Sequence, residues 1–283
     1  MVLILLLALL ALVGVAAGFL GSLAGLGGGI VLIPVLVLGF QVPILDAIGA
    51  SAVSVLATST TTGAAYVQDR LTDVRIGMFL EIATVPGALI GVTSTLLLSR
   101  FGLSSALLVV LGVILLATLP GSLRERGPGG DCPPPDVRSR RLGLRGSYFD
   151  AHARKEVPYE AGRTDPALAT MFGAGVVSGM FGIGSGVLKV LALNRFLGLP
   201  QKVATATSNF MIGVTVAASS GVLLLAGAVN PVLVAPVTLG SVVGSFAGTR
   251  LLPKTSDRRL HLVFLAVIAV LAVELILRGL GLV

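Results

Sequence analysis

The 283-residue chain holds few of the residues that soluble enzymes use for chemistry. It has no tryptophan, one cysteine and two histidines, and only 12% of its residues are charged. The lone Cys132 cannot form an internal disulfide or a thiolate cluster. His152 lies in a polar loop and His261 at a helix end, so the sequence shows no cluster of residues that could bind a metal. Neither an HExxH nor a GxSxG motif occurs, and we therefore expect no enzyme activity, no cofactor and no metal site.

Long apolar runs accompany this scarcity of charge. Hydrophobic residues make up 55% of the chain and the mean hydropathy is +1.01. Several runs reach about 18 residues, the length that crosses a hydrocarbon core of roughly 30 Å. A β-barrel would show short alternating segments instead. The run at residues 1–18 lacks a basic segment before it, so we expect a first membrane helix rather than a signal peptide. The sequence predicts an all-α, polytopic membrane protein.

The net charge of +7 does not indicate a nucleic-acid partner. Most basic residues lie in loops, where they hold a loop in the cytoplasm. Residues 121–165 contain nine Lys/Arg and seven Asp/Glu among glycines and prolines. Such composition is typical of a disordered connector. We predict a cytoplasmic, disordered connector in a protein of the plasma membrane, whose partner is the lipid bilayer.

The chain contains an internal repeat with an offset of 157 residues. Gly-Leu-Gly-Gly-Gly at 25–29 corresponds to Gly-Ile-Gly-Ser-Gly at 182–186. The match continues through the pairs Gly18/Gly175, Leu36/Leu193, Pro43/Pro200, Ala47/Ala204, Ser51/Ser208, Thr58/Thr215, Gly87/Gly244 and Gly91/Gly248. We predict membrane repeats at 1–120 and 166–283. Each consists of a glycine-broken helical hairpin followed by three transmembrane helices.

The charged turns predict how the two repeats are oriented. Arg70 and Arg75 mark one turn as cytoplasmic, and Arg250 and Lys254 mark another. We count membrane spans from these turns and from the connector. The count places both ends of the first broken hairpin outside the cell and both ends of the second broken hairpin inside. The two repeats are therefore expected to be inverted, with both termini outside. Paired, glycine-interrupted apolar segments in two halves indicate the binding site of a secondary transporter.

Each glycine break is predicted to contribute to an anion site. Irregular backbone survives in hydrocarbon only where protein or a watery cavity receives it. The start of a half-helix offers unpaired N–H groups and about half a positive charge. The backbone candidates are Gly25, Gly27, Gly28, Gly29, Gly182, Gly184, Ser185 and Gly186. A dinucleotide site is excluded because Ile30 and Val187 occupy the last position of the G-x-G-x-x-G pattern.

Close helix packing is the alternative function for glycines in membranes. We favour that alternative for Gly87, Gly91, Gly244 and Gly248, which lie in small-xxx-small spacing on later helices.

Five polar side chains have two interpretations each. Ser51, Ser208 and Asn209 are expected either to bind oxyanion oxygens or to make interhelical hydrogen bonds. Glu81 either carries a coupling proton in a buried site, where burial disfavours its charged form, or pairs with Arg75 or Arg70 at the interface. Lys189 either adds its charge to the anion site or snorkels to the surface.

The assembled motifs resemble the sulfite exporter TauE/SafE family. The similarity lies in the sequence from Ser22 to Gly29 and in the segments 30–34, 80–87, 182–194 and 202–213. Ser185 stands where the family usually has a third glycine, and Leu191 where it often has proline. The resemblance implies a multi-pass permease that moves sulfite, sulfonates or related anions, and we expect it to work by alternating access.

Two other functions remain open at this point. One is an uptake permease or channel for another small anion. The other is a non-transporting membrane scaffold, which would not require two matched breaks. The direction of transport, the coupling ion and the oligomeric state do not follow from these patterns.

Overall fold

The computed structural model describes residues 2–24, 27–123, 134, 136–150, 155–251 and 258–281. The protein is helical, as predicted, with a single two-stranded hairpin in the part described. The first half contains α1 (Val2–Ala24), α2 (Gly29–Pro34), a π-helical turn (Val35–Gly39), α3 (Ile44–Gln68), α4 (Val74–Arg100) and α5 (Ser104–Leu123). Between the halves lie α6 (Val137–Leu142), β1 (Arg145–Asp150) and β2 (Lys155–Glu160). The second half contains α7 (Thr164–Phe181), α8 (Gly186–Arg195), α9 (Gln201–Leu225), α10 (Pro231–Leu251) and α11 (Arg258–Gly279).

Five of the described helices are long and apolar enough to cross a membrane by their length and composition. They are segments of α1, α3, α4, α9 and α10, namely Ile4–Ser22, Ile44–Gln68, Val74–Arg100, Gln201–Leu225 and Pro231–Arg250. Shorter apolar helices cover Gly29–Gly39 and Ser104–Ala117. This confirms a polytopic, all-α membrane protein.

The two halves pack against each other reciprocally. Helix α1 packs on α10, and its repeat counterpart α7 packs on α4, which is the counterpart of α10. The matched helices α3 and α9 contact each other, as do α5 and α11. Two repeats related by a two-fold axis are expected to pair their helices in this way. The first helix of each broken hairpin therefore packs on the opposite half, whereas the short helix after the break packs mainly on its own half.

Glycines bring the backbones of these crossing helices into contact. A Cβ atom on Gly91 would collide with the carbonyl oxygen of Val176 on α7, and one on Gly87 with that of Phe172. The corresponding positions on α10, Gly244 and Gly248, face α1 in the same way. The packing function predicted for these four glycines is confirmed.

A pair of glycines on α7 tests the strength of this packing. Gly175→Ala is expected to destabilise the protein by about 1–3 kcal/mol, because its new methyl group would overlap the Thr84 carbonyl on α4. Gly173→Ala is the matched control, since nothing lies within 4 Å of the added atom. Thermal unfolding in detergent should show a lower midpoint for Gly175→Ala only. Equal midpoints would contradict close α4–α7 contact.

The connector is more ordered than its composition predicts. Strands β1 and β2 pair antiparallel, with Arg145 opposite Glu160. Leu144 and Tyr148 are buried in a hydrophobic cluster that includes Ile76 and Leu80 of α4, and Tyr159 donates a hydrogen bond of 3.1 Å to Asp73 Oδ2. The prediction of disorder is wrong for α6 and the hairpin, because a few apolar side chains among many charges are enough to dock them. These elements cover the end of the bundle where α4 begins.

Asp136 connects α6 to the start of α7. Its carboxylate accepts hydrogen bonds from the backbone N–H of Ser139 at 2.7 Å and from the N–H and hydroxyl of Thr164. Burial alone would raise the pKa of Asp136, but the hydrogen bonds outweigh it and lower the pKa below its ordinary value. A carboxylate whose pKa is lower in the folded state than in the unfolded state stabilises the fold at pH values above its unfolded pKa of about 3.9. This stabilisation is lost as the pH falls through the folded-state pKa.

Acid is therefore expected to release this part of the connector. In hydrogen exchange corrected for intrinsic rates, residues 137–142 should be protected at pH 6 and lose protection below about pH 4. Asp136→Asn should show reduced protection that does not change between these pH values. Undiminished protection of the wild type at pH 3 would show that the carboxylate does not hold α6.

Candidate functional site

The two glycine breaks meet at the centre of the protein. A Cβ atom on Gly29 would lie 2.6 Å from the Ser51 hydroxyl and 2.8 Å from the Ile183 Cα atom of the other break. Gly27 and Gly184 adopt φ of +76° and +77°, in the left-handed region that favours glycine. The two breaks are thus in contact, as a single site shared by both of them would require. Gly25 lies outside the described residues.

Matched side chains from α3 and α9 close over the breaks. Val55 Cγ1 would be 2.9 Å from a Cβ atom on Gly27, and Ile212 Cγ2 would be 2.6 Å from one on Gly184. Val55 and Ile212 are separated by 212 − 55 = 157 residues, the repeat offset. The centre of the bundle is thus packed by an apolar residue from each half.

Helix α8 begins with two successive residues in the left-handed region. Ser185, at φ +48°, follows Gly184 and precedes Gly186, the first residue of α8. Gly182 ends α7 in the same conformation, at φ +61°. In the first half, Gly28 has the corresponding place before α2, with φ +76°. Both half-helices therefore start at the central contact.

The three hydrogen-bonding residues predicted for α3 and α9 bind backbone carbonyls. Ser51 donates to Gly182 O at 3.1 Å, which joins α3 to the opposite break. Ser208 donates to Gly186 O at 3.4 Å, and Asn209 donates to Thr205 O at 3.1 Å. All three side chains are buried. Ser51 and Ser208 thus bond residues of the second break, whereas Asn209 bonds a carbonyl of its own helix, α9.

Ser185 differs from these residues. Its side chain is 3% exposed, and its hydroxyl has no hydrogen-bond partner among the described residues. Leaving a buried hydroxyl unpaired costs about 1–3 kcal/mol. Ser185 precedes Lys189 by four positions, and the Lys189 N–H bonds Ser185 O at 3.1 Å. Both residues therefore lie within the first turn and the cap of α8.

Lys189 and Glu81 form a buried ion pair between the halves. Lys189 Nζ lies 3.8 Å from Glu81 Oε1, and their side chains are 0% and 4% exposed. Thr215 of α9 joins them, because its hydroxyl accepts a hydrogen bond from Lys189 and lies 2.9 Å from Glu81 Oε1. Helices α4, α8 and α9 each contribute one of the three residues.

This pair resolves two alternatives from the sequence. The interfacial pairing of Glu81 with Arg75 or Arg70 is wrong, since Arg75 donates instead to Gly143 O at 3.2 Å and Glu81 is buried beside Lys189. Snorkelling of Lys189 is also wrong, because its side chain is fully buried. Both residues belong to one cluster.

Thr215 was not predicted as a site residue. The signal was present, since Thr215 corresponds to Thr58 in the repeat. Thr58 Oγ1 lies 3.4 Å from Gly27 O at the first break. A matched pair of threonines beside matched breaks would have singled out this position.

Comparison with known proteins agrees with the membrane architecture. The family described as "Sulfite exporter TauE/SafE" matches residues 10–275. The chain belongs to the TauE/SafE sulfite exporter family. The resemblance found in the sequence motifs is thereby confirmed.

Two relatives of this TauE/SafE protein are named as membrane transporters. "Probable membrane transporter protein YunE" of Bacillus subtilis (strain 168) is 28% identical over 279 residues, 96% of this chain and 97% of that protein. "Probable membrane transporter protein" of Xylella fastidiosa (strain 9a5c) is 35% identical over 107 residues, 38% of each chain. No solved structure gives a significant match. The TauE/SafE protein is a membrane transporter and not an enzyme.

Proposed function

We propose that this transporter carries a small anion, which binds where α8 begins. The proposal is carried by two observations at the start of α8: Lys189 is fully buried, and four residues earlier the buried hydroxyl of Ser185 has no hydrogen-bond partner among the described residues. A buried hydroxyl without a partner is costly, and a buried cation in a membrane protein marks a functional site even when, as here, Glu81 compensates its charge. An anion satisfies both groups at once.

The backbone at the second break supports the same ligand. Helix α8 is ten residues long, and its first N–H groups lack helical partners and carry about half a positive charge. Helix N-termini with flanking glycines are a recurrent anion site. Thr215 accepts one of the three ammonium protons of Lys189, which leaves further donor capacity for an oxyanion.

Sulfite and organosulfonates are the proposed substrates. Their oxygens present several acceptors around one centre, which suits a site built from an ammonium, a hydroxyl and backbone N–H groups. The family description also names sulfite. Ser51, Ser208 and Asn209 would complete the site when their present carbonyl partners move.

Alternating access of the two repeats is the proposed mechanism. The reciprocal packing of α1 on α10 and of α7 on α4 supports an inverted pair in which one half moves against the other. Val55 and Ile212 cover the central contact in this conformation. The basic turns support a plasma-membrane protein with the connector in the cytoplasm, and Glu81 is the proposed carrier of a coupling proton.

Ser185→Ala tests the anion site without touching the ion pair. Loss of one hydrogen bond to a charged ligand should weaken sulfonate binding by about 10- to 100-fold. The stability of the ligand-free protein should not fall, because the lost hydroxyl has no partner. Equilibrium binding of sulfite, methanesulfonate and isethionate to purified protein would measure the first effect, and thermal unfolding the second.

Ser94→Ala is the control for this comparison. Its hydroxyl bonds Ile90 O on the same helix, away from the breaks. Binding that is equally strong in Ser185→Ala and the wild type would place the anion elsewhere. Transport of non-sulfur anions alone would retain the site and replace the substrate class.

A further inference from the structure

We infer that the site loads one monovalent anion together with one proton, so that each transport cycle is electroneutral. This inference rests on the proposed anion site and adds its stoichiometry and the valence of its substrate. It follows from the charge of the buried cluster formed by Glu81, Lys189 and Thr215.

The cluster is neutral only in two loading states. When empty, the Glu81 carboxylate balances the Lys189 ammonium at 3.8 Å. An anion alone would leave one uncompensated negative charge in a site that is 4% exposed or less, and a proton alone would leave one positive charge. Burying an unpaired charge is strongly unfavourable. A monovalent anion and a proton bound together restore neutrality.

The Thr215 hydroxyl changes its hydrogen-bond acceptor between these two loading states. Its single hydroxyl hydrogen has two acceptors within reach, since Glu81 Oε1 is at 2.9 Å and Met211 O is at 2.8 Å. With Glu81 ionised, Thr215 donates to the carboxylate. With Glu81 protonated, the acid donates to Thr215 Oγ1 and the threonine hydrogen turns to Met211 O. Lys189 is then free of its counter-ion and available to the substrate.

Other charged groups on the surrounding helices are engaged elsewhere. Asp165 of α7 pairs with Arg138 at 2.6 Å, at the exposed end of its helix. Arg195 of α8 is exposed, and Lys202 lies in the first turn of α9 with a contact of its own. Helix α5 contributes no charged residue. Among the described residues, the charge that acts on Glu81 is Lys189.

The repeat supports a stoichiometry of one proton per cycle. Glu81 corresponds to Thr238 and Lys189 to Leu32 under the 157-residue offset. Thr238 Oγ1 instead bonds Ser54 Oγ at 3.0 Å. The positions that match Glu81 and Lys189 therefore hold no ion pair, and the described residues contain one set of buried paired charges, for one anion and one proton. A divalent anion would leave the cluster charged and should be rejected, so sulfite should enter the site as monovalent hydrogen sulfite.

Proteoliposomes with a clamped membrane potential test the inference. The probes are methanesulfonate and isethionate, which stay ionised at the working pH and cannot carry a proton themselves. Wild-type flux should move one proton per sulfonate, recorded by an internal pH dye, and should not respond to the potential. Sulfate should not be transported.

Glu81→Gln should convert the carrier to electrogenic transport. Its permanently neutral side chain removes the proton from the cycle, so a potential of 100 mV should drive accumulation of roughly 50-fold. Thr215→Ser, which keeps the hydroxyl, should retain coupled flux, whereas Thr215→Val should uncouple it. Sulfonate flux without protons in the wild type would overturn this inference and the coupling function of Glu81, and would leave the proposed anion site intact. No flux of any probe would overturn both.

Discussion

Glu81→Gln is expected to abolish substrate accumulation driven by a pH gradient. Glu81 is the one carboxylate paired with the buried Lys189 among the described residues, and glutamine cannot release or bind a proton at that position. Binding of substrate and its exchange down its own gradient should survive, because the anion is held by Lys189, Ser185 and backbone N–H groups. The measurement is pH-driven uptake in proteoliposomes beside substrate exchange.

Asp46→Asn is the matched control for this substitution. Asp46 lies in the first turn of α3 and is not part of the ion pairs found among the described residues, so its loss should leave pH-driven uptake unchanged. Equal accumulation in the wild type and Glu81→Gln would remove Glu81 from the mechanism. A uniporter or a different coupling ion would then be the better account.

Lys189→Met is expected to abolish anion binding and also to destabilise the protein. Breaking a buried ion pair from one side leaves an uncompensated carboxylate and typically costs about 3–5 kcal/mol. Protonation of Glu81 would recover part of that cost. Thermal unfolding at neutral pH should therefore show a clearly lower midpoint than the wild type.

The double variant Glu81→Gln, Lys189→Met separates the two effects. Removing both charges should recover most of the stability, since an apolar replacement of a buried pair is often neutral. Anion binding should stay absent. Arg195→Met, an exposed cation on the same helix, should alter neither property. A double variant whose losses equal the sum of the single losses would contradict an energetic pair.

Much of the fold follows from local patterns in the sequence. The apolar runs predict the three helices that follow each break, because each run is long and is ended by a charged or Gly/Pro turn. The repeated glycine clusters predict both breaks, since glycine is unfavourable in a helix interior and favourable at positive φ. These features depend on neighbouring residues only.

The central ion pair depends on packing between distant segments. Glu81 and Lys189 are 108 residues apart (189 − 81), and their side chains meet only because α4 packs on α7 and α9 of the other half. The repeat gives no sign of the contact, because neither residue has a charged counterpart. Thr215, in contrast, was predictable from its match with Thr58.

Composition gave the wrong prediction for the connector. Its charges outnumber its apolar residues, as in disordered segments, yet Leu144 and Tyr148 find apolar partners on the membrane helices. Whether a segment docks depends on the surface that receives it, and that surface is formed by residues far away in the chain.

A bound sulfonate located at high resolution tests the central claim most directly. 2-Bromoethanesulfonate suits this experiment, because the anomalous signal of bromine marks the ligand independently of the protein. The account predicts sulfonate oxygens within hydrogen-bond distance of Ser185 Oγ and Lys189 Nζ at the start of α8. A sulfonate bound away from both breaks, with Ser185 still unpaired and Lys189 still paired with Glu81, would contradict it.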